Sequence, residues 1–192
     1  MALNLTTRAD YKTYAGIKST NYDSEIDALL PKVSTLVKNY CGRTFVDYWN
    51  VTKTEYFDGG FPSFILKETP LVGNPTVSAS EDYGTTWTAL TAGTDYIVKP
   101  EPFPQIVSLH SSRKFPEKLN GYKVEYTGGY DDVPDDLELA VMDLITYYRR
   151  NDASVHSTKA PGTNSVQVEF ISTTSIPAHI RRVLDLHRAD FN

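Results

Sequence analysis

The first residues to test for chemistry are four aspartates that lie close together in the second half of the chain. They are Asp131, Asp132, Asp135 and Asp136, and carboxylates at this density could bind a hard cation such as calcium. The run lacks the alternating oxygen ligands, the central glycine and the closing glutamate of an EF-hand loop. We therefore interpret it as turn chemistry followed by favourable negative charge at the start of a helix, and we predict no metal site.

The other reactive side chains also lack a recognisable arrangement. The histidines are His110, His156, His179 and His187, and no two of them have the spacing of a metal-binding motif such as HExxH. Cys41 lies at the predicted C-terminal end of a helix, where the helix dipole does not favour a thiolate, so a packing role is favoured. The glycine pairs that begin at Gly59 and Gly128 lack the frame of a phosphate-binding loop, and no GxSxG motif occurs. We predict a protein that is not an enzyme and that uses no cofactor.

Size and composition limit the remaining functional classes. The chain has 192 residues, 40% hydrophobic and 12% aromatic, which suits one generous domain or a small domain with an insertion. No apolar run approaches the ~20 residues of a membrane span, and the N-terminal residues lack the apolar segment of a signal peptide. A single cysteine fits a reducing cytoplasm, and a formal net charge of −5 argues against general nucleic-acid binding. We expect no membrane partner.

The most strongly specified element is a helix from Pro134 to Arg150. Pro134 suits the first helical position, Glu138 adds negative charge to the first turn, and Arg149 adds positive charge to the last. Apolar residues with helical spacing mark the face to be buried: Leu137, Val141, Leu144, Ile145 and Tyr148. Side chains of this size stabilise by about 1.5–3 kcal/mol each when buried, so this is a core helix that needs a partner.

The predicted partner is a helix that begins near Asp23 and ends before Gly42. Asp23 is its predicted N-cap, and Gly42 is its predicted C′ residue. Its apolar stripe comprises Ile26, Leu29, Leu30, Val33, Val37 and Tyr40. Pro31 interrupts this stripe and predicts a kink. A shorter helix over Arg8 to Tyr14 is predicted to be capped by Thr7.

Between the two long helices the composition changes to residues typical of strands. Strands are predicted near residues 52–57, 63–67, 76–80, 86–90, 96–99, 106–109 and 122–127, and the turn Glu81–Gly84 predicts a hairpin. The fold class is therefore α+β: a small antiparallel helical bundle with an inserted antiparallel β unit and a C-terminal arm plus helix. We assign residues 1–48 and 122–153 to the helical core, 49–121 to the β-rich insertion, and 154–192 to the arm and terminal helix.

The C-terminal arm is the segment predicted to contact other molecules. Residues 151–165 are rich in Ser, Thr, Asn, Gly and Pro and predict a long loop, and residues 166–170 alternate as in a short strand or extended arm. Ser175 and Pro177 then start a final helix. Because a compact monomer seldom needs so long a tether, we predict that this region docks on a neighbouring molecule. The candidate interaction residues are Val168, Phe170, Ile180, Arg181, Arg182, Leu184 and Arg188.

Three passages of the chain resemble one protein family. KNYCGRTF at Lys38–Phe45 resembles the YCGRxF ending of the first long helix in head–tail connector (adaptor) proteins of tailed bacteriophages, such as the HK97-type connector and its longer relatives. VEYTGGYDDVPDDL at Val124–Leu137 resembles their VxYxAGY…VPxDL strand-to-helix passage, and Ile176–Arg188 resembles their closing helix. The three matches occur in family order over nearly the whole chain.

This resemblance implies a non-enzymatic structural protein of the virion neck, made in the host bacterial cytoplasm. It implies a homo-oligomeric ring, usually of twelve subunits, that binds below the portal protein after DNA packaging. Such a ring extends the DNA channel and offers a docking surface to a tail or stopper protein. DNA is implied to pass through the channel without specific binding, which the net negative charge would suit.

A binding module is the alternative that the residues leave open. The β-rich insertion carries Trp49, Tyr83 and Trp87, and coplanar exposed rings along a groove would indicate a β-sandwich-type carbohydrate or ligand-binding module. Most of the tyrosines fall on alternating strand positions or helix stripes, which favours a role in a core or a subunit interface. An enzyme would require a deep pocket with converging Asp and His side chains.

Overall fold

A computed structural model describes residues 3–100, 104–150, 155–159, 166–170 and 176–189, with only the backbone described at residues 150, 155–159 and 166–170. The helices are α1 (Arg8–Tyr14), α2 (Asp23–Cys41), α3 (Asp135–Arg150) and α4 (Ala178–Leu186). The strands are β1 (Lys53–Phe57), β2 (Ser63–Ile65), β3 (Leu71–Ala79), β4 (Thr88–Ala89), β5 (Tyr96–Lys99), β6 (Gln105–Ser108), β7 (Tyr122–Gly128), β8 (Val155–Lys159) and β9 (Val166–Phe170). All the pairs among the described strands are antiparallel, and helices accompany these sheets, so the predicted α+β class is confirmed.

The chain divides into a β-rich unit built on Gly42–Val133 and a helical unit built on Asn4–Cys41 and Pro134–Arg188. These bounds differ from the predicted division in two places. Strand β7 was assigned to the helical core, but it pairs on both sides, with β1 and with β3, and so belongs to the β-rich unit. Helix α4 was assigned to a separate arm, but it packs against α2 and α3 within the helical unit.

The helical unit is organised by the apolar stripes that the sequence predicts. Helix α2 packs against α3, and the buried side chains include Ile26, Val33, Val37, Leu137, Val141, Leu144 and Ile145. Leu144 and Val37 are both 0% exposed, which removes their full apolar area from water. Helix α2 continues through Pro31, which lies on the exposed side of the helix.

The helix starts show one confirmed cap and one that is wrong. The Thr7 side chain accepts a hydrogen bond from the Asp10 backbone N–H, as a residue that caps α1 should. Asp23 is the first residue of α2 rather than its N-cap, because the Ile26 N–H donates to the Tyr22 carbonyl. The Asp23 carboxylate instead binds the Lys12 ammonium at 2.6 Å, so it joins α2 to α1 by an ion pair.

The β-rich unit, which was predicted as an antiparallel β unit with no assignment of its strands to sheets, contains two sheets. The first has the strand order β1-β7-β3-β4 and the second has the order β2-β6-β5. Both sheets contribute to one core, because Phe64 of β2 lies 5.3 Å from the ring of Tyr122 of β7. Along β7 buried and half-buried residues alternate, with Val124 and Tyr126 inside, as the sequence pattern predicts.

The hairpin between β3 and β4 is confirmed, and Asp82 organises its turn. The Ser80 hydroxyl donates to one Asp82 carboxylate oxygen at 2.7 Å, and the Thr86 backbone N–H donates to the same oxygen at 2.7 Å. The Thr86 hydroxyl donates to the other oxygen at 2.7 Å. These hydrogen bonds, first the one from the Thr86 backbone, lower the pKa of Asp82 to about 2.

We predict that the Asp82 carboxyl titrates with a midpoint near pH 2 in a carbon-detected NMR titration. Because its folded-state pKa is depressed, its contribution to stability is complete above the ordinary aspartate pKa of 3.8 and is lost as pH falls through about 2. Ser80→Ala removes one donor and should raise the midpoint. Thr85→Val is the control, since the Thr85 hydroxyl donates to the Asp82 backbone carbonyl rather than to the carboxylate. A midpoint that Ser80→Ala leaves unchanged would show that the hydroxyl does not stabilise the carboxylate.

Beyond α3 the predicted loop is partly wrong. Residues 155–159 form strand β8, which pairs with the predicted strand, now β9, in a register that joins Val155 to Phe170 and Lys159 to Val166. The loop was predicted from composition alone, and strand pairing between segments several residues apart overrides such a signal. The rest of that predicted loop lies outside the described residues.

Candidate interaction surfaces

The histidine, cysteine and aspartate side chains considered as reactive groups mostly form hydrogen bonds in turns and at helix ends. Within the described ranges no three His, Cys, Asp or Glu side chains are grouped so as to hold a metal ion. His110 hydrogen-bonds through Nδ1 to the Ser112 hydroxyl at 2.8 Å in a local turn. Cys41 is buried, and its thiol donates to the Leu184 carbonyl at 3.6 Å. His179 is exposed on α4, and His156 lies in β8, where only the backbone is described.

Asp136, a member of the acidic run, has a specific partner in the terminal helix region. Its Oδ2 lies 2.8 Å from Nε2 of His187, so the start of α3 is joined to the end of α4. Burial raises the pKa of Asp136, but the hydrogen bond from His187 and its charge, with nearby backbone donors, outweigh burial and lower that pKa. Asp135 and Asp136 lie in the first turn of α3, and the Asp136 carboxylate also joins this helix to the terminal helix.

Helix α4 has an inner face that is covered by its own chain. Ile180 is 2% exposed and Leu184 is 0% exposed, which corrects the prediction that these two side chains are available to a neighbour. The Tyr40 hydroxyl also donates to Asp185 Oδ1 at 2.6 Å, so α4 is joined to α2 by polar as well as apolar contacts. The sequence could not separate the two cases, because the helical spacing of Ile180 and Leu184 suits packing within a bundle as well as docking on a neighbour.

The outer face of α4 keeps the predicted charged residues at the surface. Arg181, Arg182 and Arg188 are exposed, and Leu186 is 77% exposed at the end of the helix. We call these four residues the terminal surface. Positive side chains beside an exposed leucine, on a chain of net charge −5, form a local surface suited to an acidic and partly apolar partner. Val168 and Phe170, the other predicted contact residues, lie in β9, and their side chains are outside the described part of the chain.

Two of the three motifs that carry the family resemblance, Lys38–Phe45 and Val124–Leu137, meet inside the β-rich unit. Gly42 has φ +71° and follows α2 as a C′ residue. The Phe45 carbonyl then accepts a hydrogen bond from the Tyr130 N–H at 2.7 Å. Gly129 is required at this junction, because a Cβ there would lie 2.0 Å from the Phe45 carbonyl oxygen. Phe45 itself is 0% exposed and has φ +69°, a conformation held by this docking.

The Arg43 guanidinium stabilises the same contact between the two motifs. It lies 4.8 Å from the centre of the Phe45 ring and 5.4 Å from that of Tyr130, and it donates to the Thr69 carbonyl. A planar cation that stacks on two rings and donates to a carbonyl cannot be replaced by lysine without loss. Sequence reasoning identified both motifs but did not foresee that they dock on each other.

A buried polar network lies beside this junction. The Glu68 side chain is 0% exposed, accepts a hydrogen bond from the Thr44 hydroxyl at 3.1 Å, and accepts another from Lys53 Nζ at 2.7 Å. Burial lowers the pKa of Lys53, but the hydrogen bond and charge of Glu68 outweigh burial and raise it. The Tyr126 hydroxyl donates to Glu55 at 2.7 Å, and burial raises the pKa of that hydroxyl. Every charge here has a partner, so the network is structural.

Among the described residues, the aromatic side chains do not form the platform that a carbohydrate module needs. The Trp87 ring is tilted by 46° from that of Tyr56, with their centres 5.8 Å apart. Lys123 Nζ lies 5.5 Å from the centre of the Trp87 ring, within the distance of a cation–π contact. Tyr83 is 76% exposed, while Trp49 is half-buried. Tilted rings with a lysine beside them disfavour sugar stacking.

A small cleft in the β-rich unit contains the Asp and His pair that an enzyme would require. The cleft has a volume of about 140 Å³, and its lining includes Asp95, His110, Lys118 and Tyr122. These groups are already engaged: Asp95 accepts from the Thr91 N–H at 2.7 Å, and Lys118 binds Glu81. The polar groups that line the cleft therefore stabilise local turns and surface ion pairs and do not form a catalytic arrangement.

None of the described helices has the length and hydrophobicity that a membrane crossing requires.

Comparison with known proteins identifies a family. A family model described as head completion protein matches residues 4–189. The chain is also similar to the head completion protein of Escherichia phage T5, with 26% identity over 198 residues that cover 97% of this chain and 99% of that protein.

Solved structures share the fold at lower identity. A chain from the neck of an empty gene transfer agent (GTA) particle, computed with C6 symmetry, has a TM-score of 0.59 at 13% identity and covers 99% of this chain and 96% of its own. A chain from the virion of the native GTA particle has a TM-score of 0.59 at 17% identity, covering 97% and 90%. A chain from the neck of the native GTA particle, computed with C12 symmetry, has a TM-score of 0.53 at 16% identity, covering 99% and 96%.

Proposed function

The chain belongs to the head completion protein family, and from that premise we propose that it forms an adaptor ring between the portal and the tail of a bacteriophage. Family membership confirms the resemblance to phage connector proteins and makes this a structural protein rather than an enzyme. The observation that carries the proposal is the extent of the match, which spans residues 4–189 and so includes both units.

The proposed location is the virion neck. Three chains with this fold come from GTA particles, and two of those structures are of the neck. One neck structure was computed with C12 symmetry, which supports a ring of twelve copies of this chain. Identical subunits joined through a heterologous interface close into such a ring when the rotation between neighbours closes.

The proposed partners are a second copy, the portal protein, and a tail or stopper protein. We assign the terminal surface to the portal, because exposed arginines beside Leu186 suit an acidic partner with an apolar pocket. DNA is proposed to pass through the ring without specific binding. A net charge of −5 on each copy supports this, since a repelled duplex slides rather than adheres.

Charge reversal on the terminal surface tests the assignment to the portal. We expect the double variant Arg181→Glu/Arg182→Glu to fold normally, because both side chains are exposed, and to bind the portal of the same phage at least about tenfold more weakly. Size-exclusion chromatography with light scattering measures the complex, and thermal melting by circular dichroism measures the fold.

The matched control is Lys18→Glu/Lys32→Glu, which changes the net charge by the same amount at exposed sites elsewhere in the helical unit. Equal loss of binding in both double variants would indicate a general charge effect and would remove the portal assignment. If the unmodified protein forms no complex with that portal at any concentration, the adaptor proposal itself is wrong.

A further inference from the structure

Within the described part of the chain, the hairpin of β8 and β9 has two open edges. The five residues of β8 are each opposite one residue of β9, from Val155 with Phe170 to Lys159 with Val166. Among the strands that the structure describes, β8 and β9 pair only with each other. Each strand therefore carries, along its outer side, backbone N–H and C=O groups that no other described strand pairs with. An isolated two-stranded hairpin is marginally stable in water, and open edges are templates for further strands.

The register also separates the hairpin into two unlike faces. Since neighbouring residues in a strand alternate between faces, Val155, Val166, Val168 and Phe170 share one face with Ser157 and Lys159. His156, Thr158, Gln167 and Glu169 share the other face, which is entirely polar. A hairpin of this kind has one partly apolar face and two strand edges to bury, and both requirements are met by lateral addition of a similar hairpin.

We propose that, in the assembled ring, the open edge of β9 in one copy pairs with the open edge of β8 in the next copy. The proposal rests on the adaptor ring proposed above and names the segment through which neighbouring copies join. Rotation about a ring axis that runs along the strands keeps each hairpin in the same direction. Strand β9 of one copy then lies antiparallel to β8 of the next, as ordinary sheet pairing requires.

A second copy fits these edges better than a different protein does. Identical hairpins supply one β8 edge and one β9 edge per copy, so a closed ring pairs every edge and leaves none exposed. The same repetition places the four apolar residues of every hairpin on one side of the continuous sheet. A single strand from another protein would pair one edge of each hairpin and leave the other open.

Hydrogen exchange distinguishes a lone hairpin from a continuous sheet. In a lone antiparallel pair, consecutive N–H groups point alternately to the partner strand and to the open edge, so only alternate amides are protected. We expect alternate protection of residues 155–159 and 166–170 in the free protein. In the complex with portal, the remaining amides should exchange at least about tenfold more slowly.

The possible outcomes separate this inference from the adaptor proposal. A ring in which the outward amides still exchange freely overturns the hairpin pairing and leaves the adaptor proposal intact. Protection that is already complete when only isolated copies are bound to the portal identifies a portal strand as the partner, which also overturns it. Absence of any ring overturns both. Protection that develops as the ring fills supports the pairing between copies.

Two neighbouring proline substitutions provide the matched variants. Gln167→Pro and Val168→Pro each remove one N–H from β9, and these two groups point in opposite directions. One of the two variants therefore loses a hydrogen bond to β8. The other keeps the hairpin paired, because a strand edge without a partner tolerates proline, but it lacks the N–H that would pair with the next copy. Hydrogen exchange of the free protein identifies which is which. Both should lose at least about tenfold in ring assembly, and normal assembly of the edge variant would overturn the proposal.

Discussion

Replacing Gly129 by alanine is expected to lower the free energy of unfolding by at least about 3 kcal/mol. Gly129 has φ +106°, where an L-residue is strained, and the new Cβ would lie 2.0 Å from the Phe45 carbonyl oxygen. That oxygen is a backbone atom and accepts the 2.7 Å hydrogen bond from Tyr130, so it cannot move without separating the two motifs. Urea unfolding followed by tryptophan fluorescence measures the loss.

Gly93→Ala is the matched control for this prediction. Gly93 has φ +81°, but nothing lies within 4 Å of the position that its Cβ would take. The control therefore introduces backbone strain without a collision, and it should cost about 1 kcal/mol. Equal losses in the two variants would mean that backbone conformation alone requires glycine at position 129, and that the close approach to Phe45 contributes nothing.

The parts of the fold that the sequence predicted well are those with strong local signals. Helix α1 has its predicted bounds, because the Thr7 cap and the spacing of a short amphipathic helix act within a few residues. Helix α3 begins at Asp135 beside the proline that predicted its start. Strand β7 follows a strict alternation of buried and half-buried residues, which is also a local pattern.

The parts that were wrong depend on contacts between distant segments. Strand β8 has the composition of a loop and forms because β9 pairs with it. The seven predicted strands gave no indication that they divide into two sheets, since sheet membership depends on pairing such as that between β2 and β6. Likewise the stripe of Ile180 and Leu184 showed that α4 must bury one face, but not against which molecule.

The candidate sites follow the same division. The sequence separated Arg181, Arg182 and Arg188 from the apolar face of α4, because charge on one face of a helix is a local property, and these side chains are exposed. Their role as contact residues stays a prediction. The contact between Phe45 and Gly129 was not predicted, although both residues lie in motifs that carry the family resemblance. The glycine pair at the end of the strand could have indicated it, since such a pair is typical of positive φ or of a close approach by another backbone segment.

The second large effect is expected in the helical unit, where Leu144→Asp should lower the free energy of unfolding by at least about 4 kcal/mol. Leu144 is 0% exposed on α3, so the substitution removes a buried leucine and places a carboxylate where no partner awaits it. A loss of this size approaches the whole stability of an ordinary domain, which is about 5–15 kcal/mol. Circular dichroism should show early melting or an unfolded helical unit.

Leu139→Asp on the same helix separates the cost of burying a carboxylate from the cost of placing an aspartate in a helix. Leu139 is 49% exposed, and an aspartate there meets the same helix propensity as at Leu144 while remaining in water. Its cost should be within about 0.5 kcal/mol. Because the fold survives, this variant can also be mixed with portal, and weaker assembly would place Leu139 in an interface. If Leu144→Asp instead melted like Leu139→Asp, the stripe that joins α3 to α2 would not be the core of this unit.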